Sequence, residues 1–154
     1  MTPDSIEREI TIGAPPARVW ELLTTAEHLG TWFGDAGAEI DLRPGGALQL
    51  RWTGYGTVHG RVETVEPPHR FAFRWGVLRG RTDDEAFRDE TATLVEFTLV
   101  EADGGAATTL HLAESGFASL DADEAVRTRQ HADNTQGWGK ELDELRRHAE
   151  RVAA

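Results

Sequence analysis

Residues 124–152 read EAVRTRQHADNTQGWGKELDELRRHAERV and form the longest helical pattern in the chain. Apolar residues recur in this stretch at steps of four and three, at Trp138, Leu142, Leu145, Ala149 and Val152. This spacing predicts an amphipathic helix whose apolar face packs against the rest of the protein. Asp121 and Asp123 stand before the helix as candidate N-caps.

Two glycines, Gly137 and Gly139, flank Trp138 in the middle of this helical pattern. Each interior glycine costs a helix about 1 kcal/mol relative to alanine, so the pair requires an explanation. We expect either that the helix bends at this point or that it approaches a neighbouring sheet too closely for larger side chains.

Short strands dominate the chain before the helix. Ile6, Ile10 and Ile12 alternate with polar residues and predict a first strand, and six further alternating segments follow from Ala38 onward. The most aromatic segment is Phe71-Ala72-Phe73-Arg74-Trp75, whose three aromatic residues share one face.

Two short helices are predicted between the first and second strands. Val19, Leu22 and Leu23 fall on one helical face, and Thr24-Thr25-Ala26-Glu27 has the spacing of a capping box. The resulting order predicts an α+β fold, with a curved antiparallel sheet of about seven strands wrapped on the long C-terminal helix. We expect residues 1–154 to form a single domain.

The composition narrows the classes of function. The 154 residues include 27 acidic and 16 basic side chains, a formal net charge of −11, and no cysteine. An anionic surface repels phosphates, so we expect no nucleic-acid partner. Without cysteine there are no disulfides and no thiolate metal sites. The polar N-terminus and the lack of an apolar stretch of about 20 residues predict a cytoplasmic protein without membrane insertion.

Residues 76–91 interrupt the strand pattern with mixed charges and two glycines. We interpret them as a long connection between two strands. Loops of this length in a compact fold are usually functional or mobile, so this side of any pocket is the hardest to predict.

A series of segments resembles the helix-grip superfamily, also called START-like or SRPBCC. The segments are Pro16-Ala17-Arg18-Val19-Trp20-Glu21-Leu22-Leu23, Leu29 to Trp32-Phe33, Gly45-Gly46, Gly60-Arg61-Val62 before Pro67-Pro68, and Phe71-Ala72-Phe73-Arg74-Trp75. The ending, from His131 through Gly137-Trp138 to Leu142 and Leu145, is similar to the branch named after the activator of Hsp90 ATPase. The resemblance covers about residues 6–151.

The resemblance implies a cavity between the sheet and the C-terminal helix. Members of the superfamily bind lipids, polyketides, hormones or other apolar molecules, and a few catalyse cyclisation or hydrolysis. We therefore predict that the cavity is lined by apolar and aromatic side chains. The candidate ligand-binding residues are Trp32, Phe33, Trp52, Phe71, Phe73, Trp75, Phe97, Trp138 and Leu142. The alternative for each is simple core packing, since large aromatic residues are commonly buried.

No pattern in the chain predicts catalysis, a metal or a cofactor. None of the six histidines has convincing ligand spacing, and no serine lies in a Gly-x-Ser-x-Gly motif. Among the carboxylates, Glu96 and Glu114 are the better functional candidates because they lie within strands, although we expect both to be exposed. Arg74 is expected to pair with an acidic residue on the outer face.

Three functions remain open at this point. The first is binding of a small hydrophobic or aromatic molecule by a monomer or homodimer. The second is a co-chaperone-like module that binds another protein. The third is an enzyme of cyclase or hydrolase type, which would need an ionisable residue facing the cavity, and the predicted strand faces supply none.

Overall fold

A computed structural model describes residues 1–54, 56–76 and 88–153, with the side chains of residues 152 and 153 left out. Tyr55, most of the connection predicted at 76–91 and the Val152 side chain of the predicted apolar face therefore lie outside the described residues. Seven strands form one antiparallel sheet in the order β1-β7-β6-β5-β4-β3-β2. The predicted α+β helix-grip fold is confirmed.

The strands begin and end as follows: β1 Ser5–Ile12, β2 Ala38–Ile40, β3 Ala47–Trp52, β4 Gly56–Glu66, β5 Arg70–Gly76, β6 Ala92–Ala102 and β7 Ala107–Ser115. The helices are α1 Pro16–Thr24, α2 Ala26–His28 and α3 Glu124–Ala153. A π-helical turn, Leu29–Phe33, continues α2, and single 3-10 turns lie at Asp89–Thr91, Asp103–Gly105 and Phe117–Ser119. None of the described helices has the length and apolar character that crossing a membrane requires.

The sheet is curved, and an irregularity in its pairing contributes to the bend. The register between β4 and β5 shifts between Val62 and Thr64. Such a bulge increases the local twist of a strand. The sheet packs its apolar face against α1 and α3, and the side chains of Phe71, Phe73, Phe97 and Leu145 are almost completely buried there.

The helix starts agree only partly with the predicted caps. Asp123 caps α3, because its Oδ1 accepts a hydrogen bond from the Val126 N–H at 2.9 Å. Asp121 lies near Arg88 instead, at 3.7 Å. The capping-box role predicted for the residues before α2 is wrong: the Thr24 and Thr25 hydroxyls donate back to carbonyl oxygens of α1, and α2 starts without a side-chain cap.

Candidate functional site

A cleft of about 330 Å³ lies between α3 and the ends of strands β3, β4 and β5. The π-helical turn after α2 closes one side of it. The lining combines aromatic rings with polar and charged side chains. Its residues are Phe33, Asp35, Trp52, Thr53, Val58, Trp75, Gly76, Gln130, Asp133, Asn134, Gly137, Trp138, Lys140 and Glu141.

Four aromatic side chains form the apolar wall of the cleft, with Phe33 at their centre. The Phe33 ring stacks on the rings of Trp75 and Trp138, with centroids 5.4 and 5.3 Å away. It meets Trp52 edge-on at 5.2 Å. Rings packed against one another in this way hold each other in place, so the wall is preformed.

Behind this wall lies Glu114, a glutamate on β7 whose exposed surface is 0 %. Trp138 Nε1 donates to its carboxylate at 2.7 Å, and Trp75 Nε1 donates at 2.8 Å. The Thr93 hydroxyl donates at 2.5 Å, and Asn134 Nδ2 lies 3.1 Å from both oxygens. A carboxylate accepts several hydrogen bonds at once, so one side chain joins β5, β6 and β7 to α3.

The expected exposure of Glu114 is wrong, and the strand pattern contained the signal. Glu114 shares its parity with Leu110 and Leu112, which are buried on β7. It therefore points toward α3, where four donors offset the loss of water. Glu96 is half-buried on β6, with buried residues on either side of it, Val95 and Phe97. Because Glu114 points inward, the prediction that no ionisable residue faces the interior was also wrong.

All three indole N–H groups of the cleft wall already have carboxylate partners. Trp75 and Trp138 donate to Glu114, and the Trp52 side chain is hydrogen-bonded to Glu141 on α3. A ligand therefore meets aromatic carbon rather than free indole donors. Such a surface favours an apolar or aromatic body.

Glu141 is the ionisable residue that stands out within the cleft. Burial raises the pKa of its carboxyl to about 7, because desolvation disfavours the charged form. Lys140 and the hydrogen bond from Trp52 lower this pKa, whereas the negative charges of Glu144 and Asp35 raise it. The carboxyl therefore changes charge close to neutral pH.

The charged rim around Glu141 is mixed but mainly acidic. Asp35 is exposed, and its Oδ1 accepts a hydrogen bond from the Thr53 N–H at 2.6 Å. Asp133 is half-buried, whereas Lys140 is exposed. Because water and salt screen exposed charges, the half-buried carboxylates dominate the field inside the cleft.

The nine predicted ligand-binding residues divide into two groups. Phe33, Trp52, Trp75 and Trp138 line the cleft, and all of them except Trp52 are also almost completely buried. The other five are buried in the core and are not part of the lining: Trp32, Phe71, Phe73, Phe97 and Leu142. The Trp32 indole, for example, donates to the Leu22 carbonyl oxygen at 2.7 Å and anchors the π-helical turn on α1.

The polar lining of α3 was not predicted, although its spacing follows the apolar face. Asn134 and Gln130 lie four and eight residues before Trp138, and Glu141 lies three residues after it. These steps keep all of them on one side of the helix. The Gln130 side chain donates to Asn134 Oδ1 at 2.7 Å, which orients the Asn134 amide toward Glu114.

One explanation for the two glycines beside Trp138 was that the helix approaches the sheet too closely for larger side chains. The structure does not support it. A Cβ atom built on Gly137 or Gly139 meets no other atom within 4 Å. Gly137 lines the cleft, whereas Gly139 is exposed and lies outside it. At Gly137, the missing side chain leaves cleft volume open.

The remaining polar candidates lie apart from the cleft. Arg74 pairs with Glu63, with 3.3 Å between Nε and Oε1, as expected for the outer face. Within residues 1–54, 56–76 and 88–153, no group of three or more histidine, aspartate or glutamate side chains has the arrangement of a metal site.

A sheet that grips a long C-terminal helix around an aromatic cleft defines a helix-grip protein of the START-like, or SRPBCC, type. The chain belongs to the family described as Activator of Hsp90 ATPase homolog 1-like protein, which it matches over residues 13–150. This confirms the resemblance drawn from the sequence. A comparison with curated proteins finds no match.

Several solved structures share the fold over nearly the full length of both chains. Protein MLL2253 from Mesorhizobium loti superposes with a TM-score of 0.75 at 19% identity, covering 96% of this chain and 97% of that one. The Aha1 dimer from Colwellia psychrerythraea gives 0.70 at 18% identity, covering 95% and 96%. PFC0360w, an HSP90 activator from Plasmodium falciparum, gives 0.66 at 21% identity, covering 93% and 94%.

Proposed function

We propose that this protein binds a small apolar or aromatic molecule in the cleft between the sheet and α3. The observation that carries this proposal is the cleft wall itself. Phe33, Trp52, Trp75 and Trp138 border an open volume, and the three indole N–H groups are occupied from behind or from the rim. Binding sites for small molecules commonly combine such an apolar wall with a few polar groups.

The size of the cleft limits the ligand. A volume of about 330 Å³ lies at the lower end of the range of about 300–1,000 Å³ for small-molecule sites. This suits a molecule with one or two rings rather than a long lipid. The buried phenylalanines of β5 and β6 fill the neighbouring interior, which prevents a deeper extension.

The proposal is tested by closing the cleft from α3. Gly137→Leu would place a side chain in the lining, and Gly139→Leu is the matched control on the exposed side of the same helix turn. A library of one- and two-ring compounds is screened by tryptophan fluorescence and melting temperature. We expect hits with the unmodified chain and with Gly139→Leu, and their loss with Gly137→Leu. The absence of any hit, together with native mass spectra free of ligand, would refute the proposal.

A protein-interaction role is the second candidate, and the family match is the observation that favours it. Two proteins of similar structure carry the names Aha1 and HSP90 activator, and the Aha1 structure is a dimer. We propose by analogy that this chain can form homodimers or bind another protein. Sedimentation over a range of concentrations tests self-association. Capture of purified Hsp90 by the immobilised chain tests the co-chaperone hypothesis, which a lack of binding would contradict.

Catalysis ranks third among these proposals. Glu114 faces inward, but its two oxygens already accept hydrogen bonds from four side chains. Glu141 is the better candidate for proton transfer because its pKa of about 7 suits that role. Within the described part of the chain, however, the lining includes no serine or histidine beside it that could act as a nucleophile.

A further inference from the structure

We infer that the cleft selects an organic cation, meaning a small aromatic or apolar molecule that carries a protonated amine or a similar positive group. This inference rests on the proposed function and adds the charge class of the ligand. It is carried by two features of the same cavity, the aromatic wall and the half-buried carboxylate of Glu141 beside it.

The aromatic wall provides the first attraction. Aromatic faces carry partial negative charge and attract ammonium groups, and tryptophan does so most strongly. The cleft is lined by three tryptophans and one phenylalanine. Because the positive N–H edges of the indoles are turned to Glu114 and Glu141, they are not available to attract an anion.

Glu141 provides the second attraction. Glu141 lines the cleft together with the aromatic wall, and its carboxyl is hydrogen-bonded to the Trp52 side chain. Asp35 lines the same cleft, and its negative charge raises the pKa of Glu141. A cation placed between ring and carboxylate satisfies both groups and relieves the repulsion between the two acids.

The only cation that opposes this arrangement in the described lining is Lys140. It is exposed, and it lies at the rim beside the half-buried Glu141. Water screens an exposed ammonium more than a half-buried carboxylate. An anionic ligand would gain contact with Lys140 but would approach Glu141, Asp35 and Asp133, which favours the cation.

The titration of Glu141 makes this inference measurable. The charged groups around its carboxyl are Lys140 and Glu144 on α3 and Asp35 after the π-helical turn, with Asp133 on the same cleft lining. The neutral Trp52 side chain faces it from β3. A bound cation favours the ionised carboxylate and so lowers its pKa. Affinity for a cation therefore rises as pH increases toward the free pKa of about 7 and is level above it.

Three probes with one phenyl body separate charge from shape: phenethylamine is a cation, phenethyl alcohol is neutral and hydrocinnamate is an anion. Binding is measured by titration calorimetry and by tryptophan fluorescence at about pH 6 and about pH 8. We expect phenethylamine to bind tightest and to gain up to about tenfold in affinity over this interval, since only the ionised carboxylate attracts it. Phenethyl alcohol should gain nothing.

Glu141→Gln is the decisive variant, and Glu7→Gln is its matched control. Glu7 is an exposed residue on β1, at the opposite edge of the sheet from β2 and far from β3, and at about pH 8 its replacement removes nearly the same charge. At about pH 8 we expect Glu141→Gln to bind phenethylamine about tenfold more weakly and with no pH dependence, while Glu7→Gln retains both. Asp35→Asn should give a smaller loss, because Asp35 is exposed.

The outcomes separate this inference from the proposed function. If phenethyl alcohol or hydrocinnamate binds as tightly as phenethylamine, the selection for a cation is refuted while the ligand site stands. Equal affinity of Glu141→Gln and the unmodified chain would also refute it. If none of the three probes binds, the inference fails, and the wider library with Gly137→Leu decides whether the cleft is a ligand site at all.

Discussion

Two glutamates lie close together at the interface between α3 and the sheet, Glu114 behind the aromatic wall and Glu141 in the cleft, and their surroundings differ. Glu114 is fully buried on β7, and four side chains from β5, β6 and α3 donate to it. Glu141 is half-buried at the cleft, with the Trp52 side chain as its hydrogen-bond donor and a pKa raised to about 7. The carboxylate behind the wall joins the strands to α3, whereas the carboxylate in the cleft keeps contact with solvent.

The largest effect is expected from removing the buried glutamate. Glu114→Ala leaves the two indole N–H groups, the Asn134 amide and the Thr93 hydroxyl without their shared acceptor. We expect a loss of about 3–5 kcal/mol in the free energy of unfolding, measured by urea denaturation. Glu96→Gln, on the neighbouring strand, is the control and should change stability by less than about 0.5 kcal/mol.

If Glu114→Ala does not fold, Glu114→Gln gives the same information. Glutamine retains one acceptor oxygen but turns an NH₂ group toward donors, so we expect a loss of about 2 kcal/mol. A variant as stable as the unmodified chain would contradict the view that this carboxylate joins α3 to the sheet.

The second effect is a gain of stability on replacing Glu141, and it depends on pH. Because the pKa of Glu141 is raised to about 7 from an ordinary value of 4.5, the unfolded chain loses its proton first as pH rises. The stability that this carboxyl contributes therefore falls as the pH rises from 4.5 to about 7, and it is constant above about pH 7. We expect Glu141→Gln to be more stable than the unmodified chain at about pH 8, by no more than about 2 kcal/mol because solvent reaches the carboxyl.

The gain from Glu141→Gln should vanish at about pH 4, where the Glu141 carboxyl of the unmodified chain is mostly protonated in both the folded and the unfolded state. Urea denaturation at the two pH values measures it. A gain of equal size at both would show that shape or packing, and not the charge of Glu141, is responsible.

A third, smaller effect distinguishes the N–H group of Trp138 from its ring. Trp138→Phe keeps an aromatic ring near Phe33 and removes one of the donors to Glu114. We expect a loss of about 1–2 kcal/mol, from the hydrogen bond and from the smaller ring. Trp20→Phe, a half-buried tryptophan away from Glu114, is the comparison, and similar losses in the two variants would argue against a special role for the Trp138 donor.

The smallest effect concerns the two glycines of α3. Alanine at either position meets no other atom within 4 Å, so Gly137→Ala and Gly139→Ala should each stabilise the helix by about 0.5–1 kcal/mol. Thermal denaturation measures this gain. Only Gly137→Ala should also weaken ligand binding, since Gly137 lines the cleft and Gly139 does not. A loss of stability at Gly137 would show that the helix needs the glycine for another reason.

The fold could be predicted because its signals are local and repeated. The alternation of Leu48 and Leu50 on β3, or the steps from Trp138 to Leu142 and Leu145 on α3, report directly which face of an element is buried. Each element needed only its own few residues to be recognised. Their order along the chain then left few ways to close the sheet over the helix.

The site could be predicted only in part, because it depends on partners distant in the chain. Glu114 was expected to be exposed although its parity on β7 matches buried residues, because its donors come from β5, β6 and α3 and no spacing within β7 indicates them. The sequence also did not indicate which aromatic residues line the cleft and which only fill the core. Phe73 and Trp75 share one strand face, yet only Trp75 reaches the cleft.

The pairing of β1 with β7 has a consequence for how the chain folds. From β2 to β7 each strand pairs with its neighbour in sequence, whereas Ser5 of β1 pairs with Ser115 of β7. Most of these neighbouring pairs close short loops, and the longest connection, between β5 and β6, is still far shorter than the loop from β1 to β7. Closing that loop, which spans most of the chain, costs more entropy and slows assembly. We therefore expect β1 to dock late, so that substitutions at Ile6 or Ile12 speed unfolding and leave the folding rate nearly unchanged.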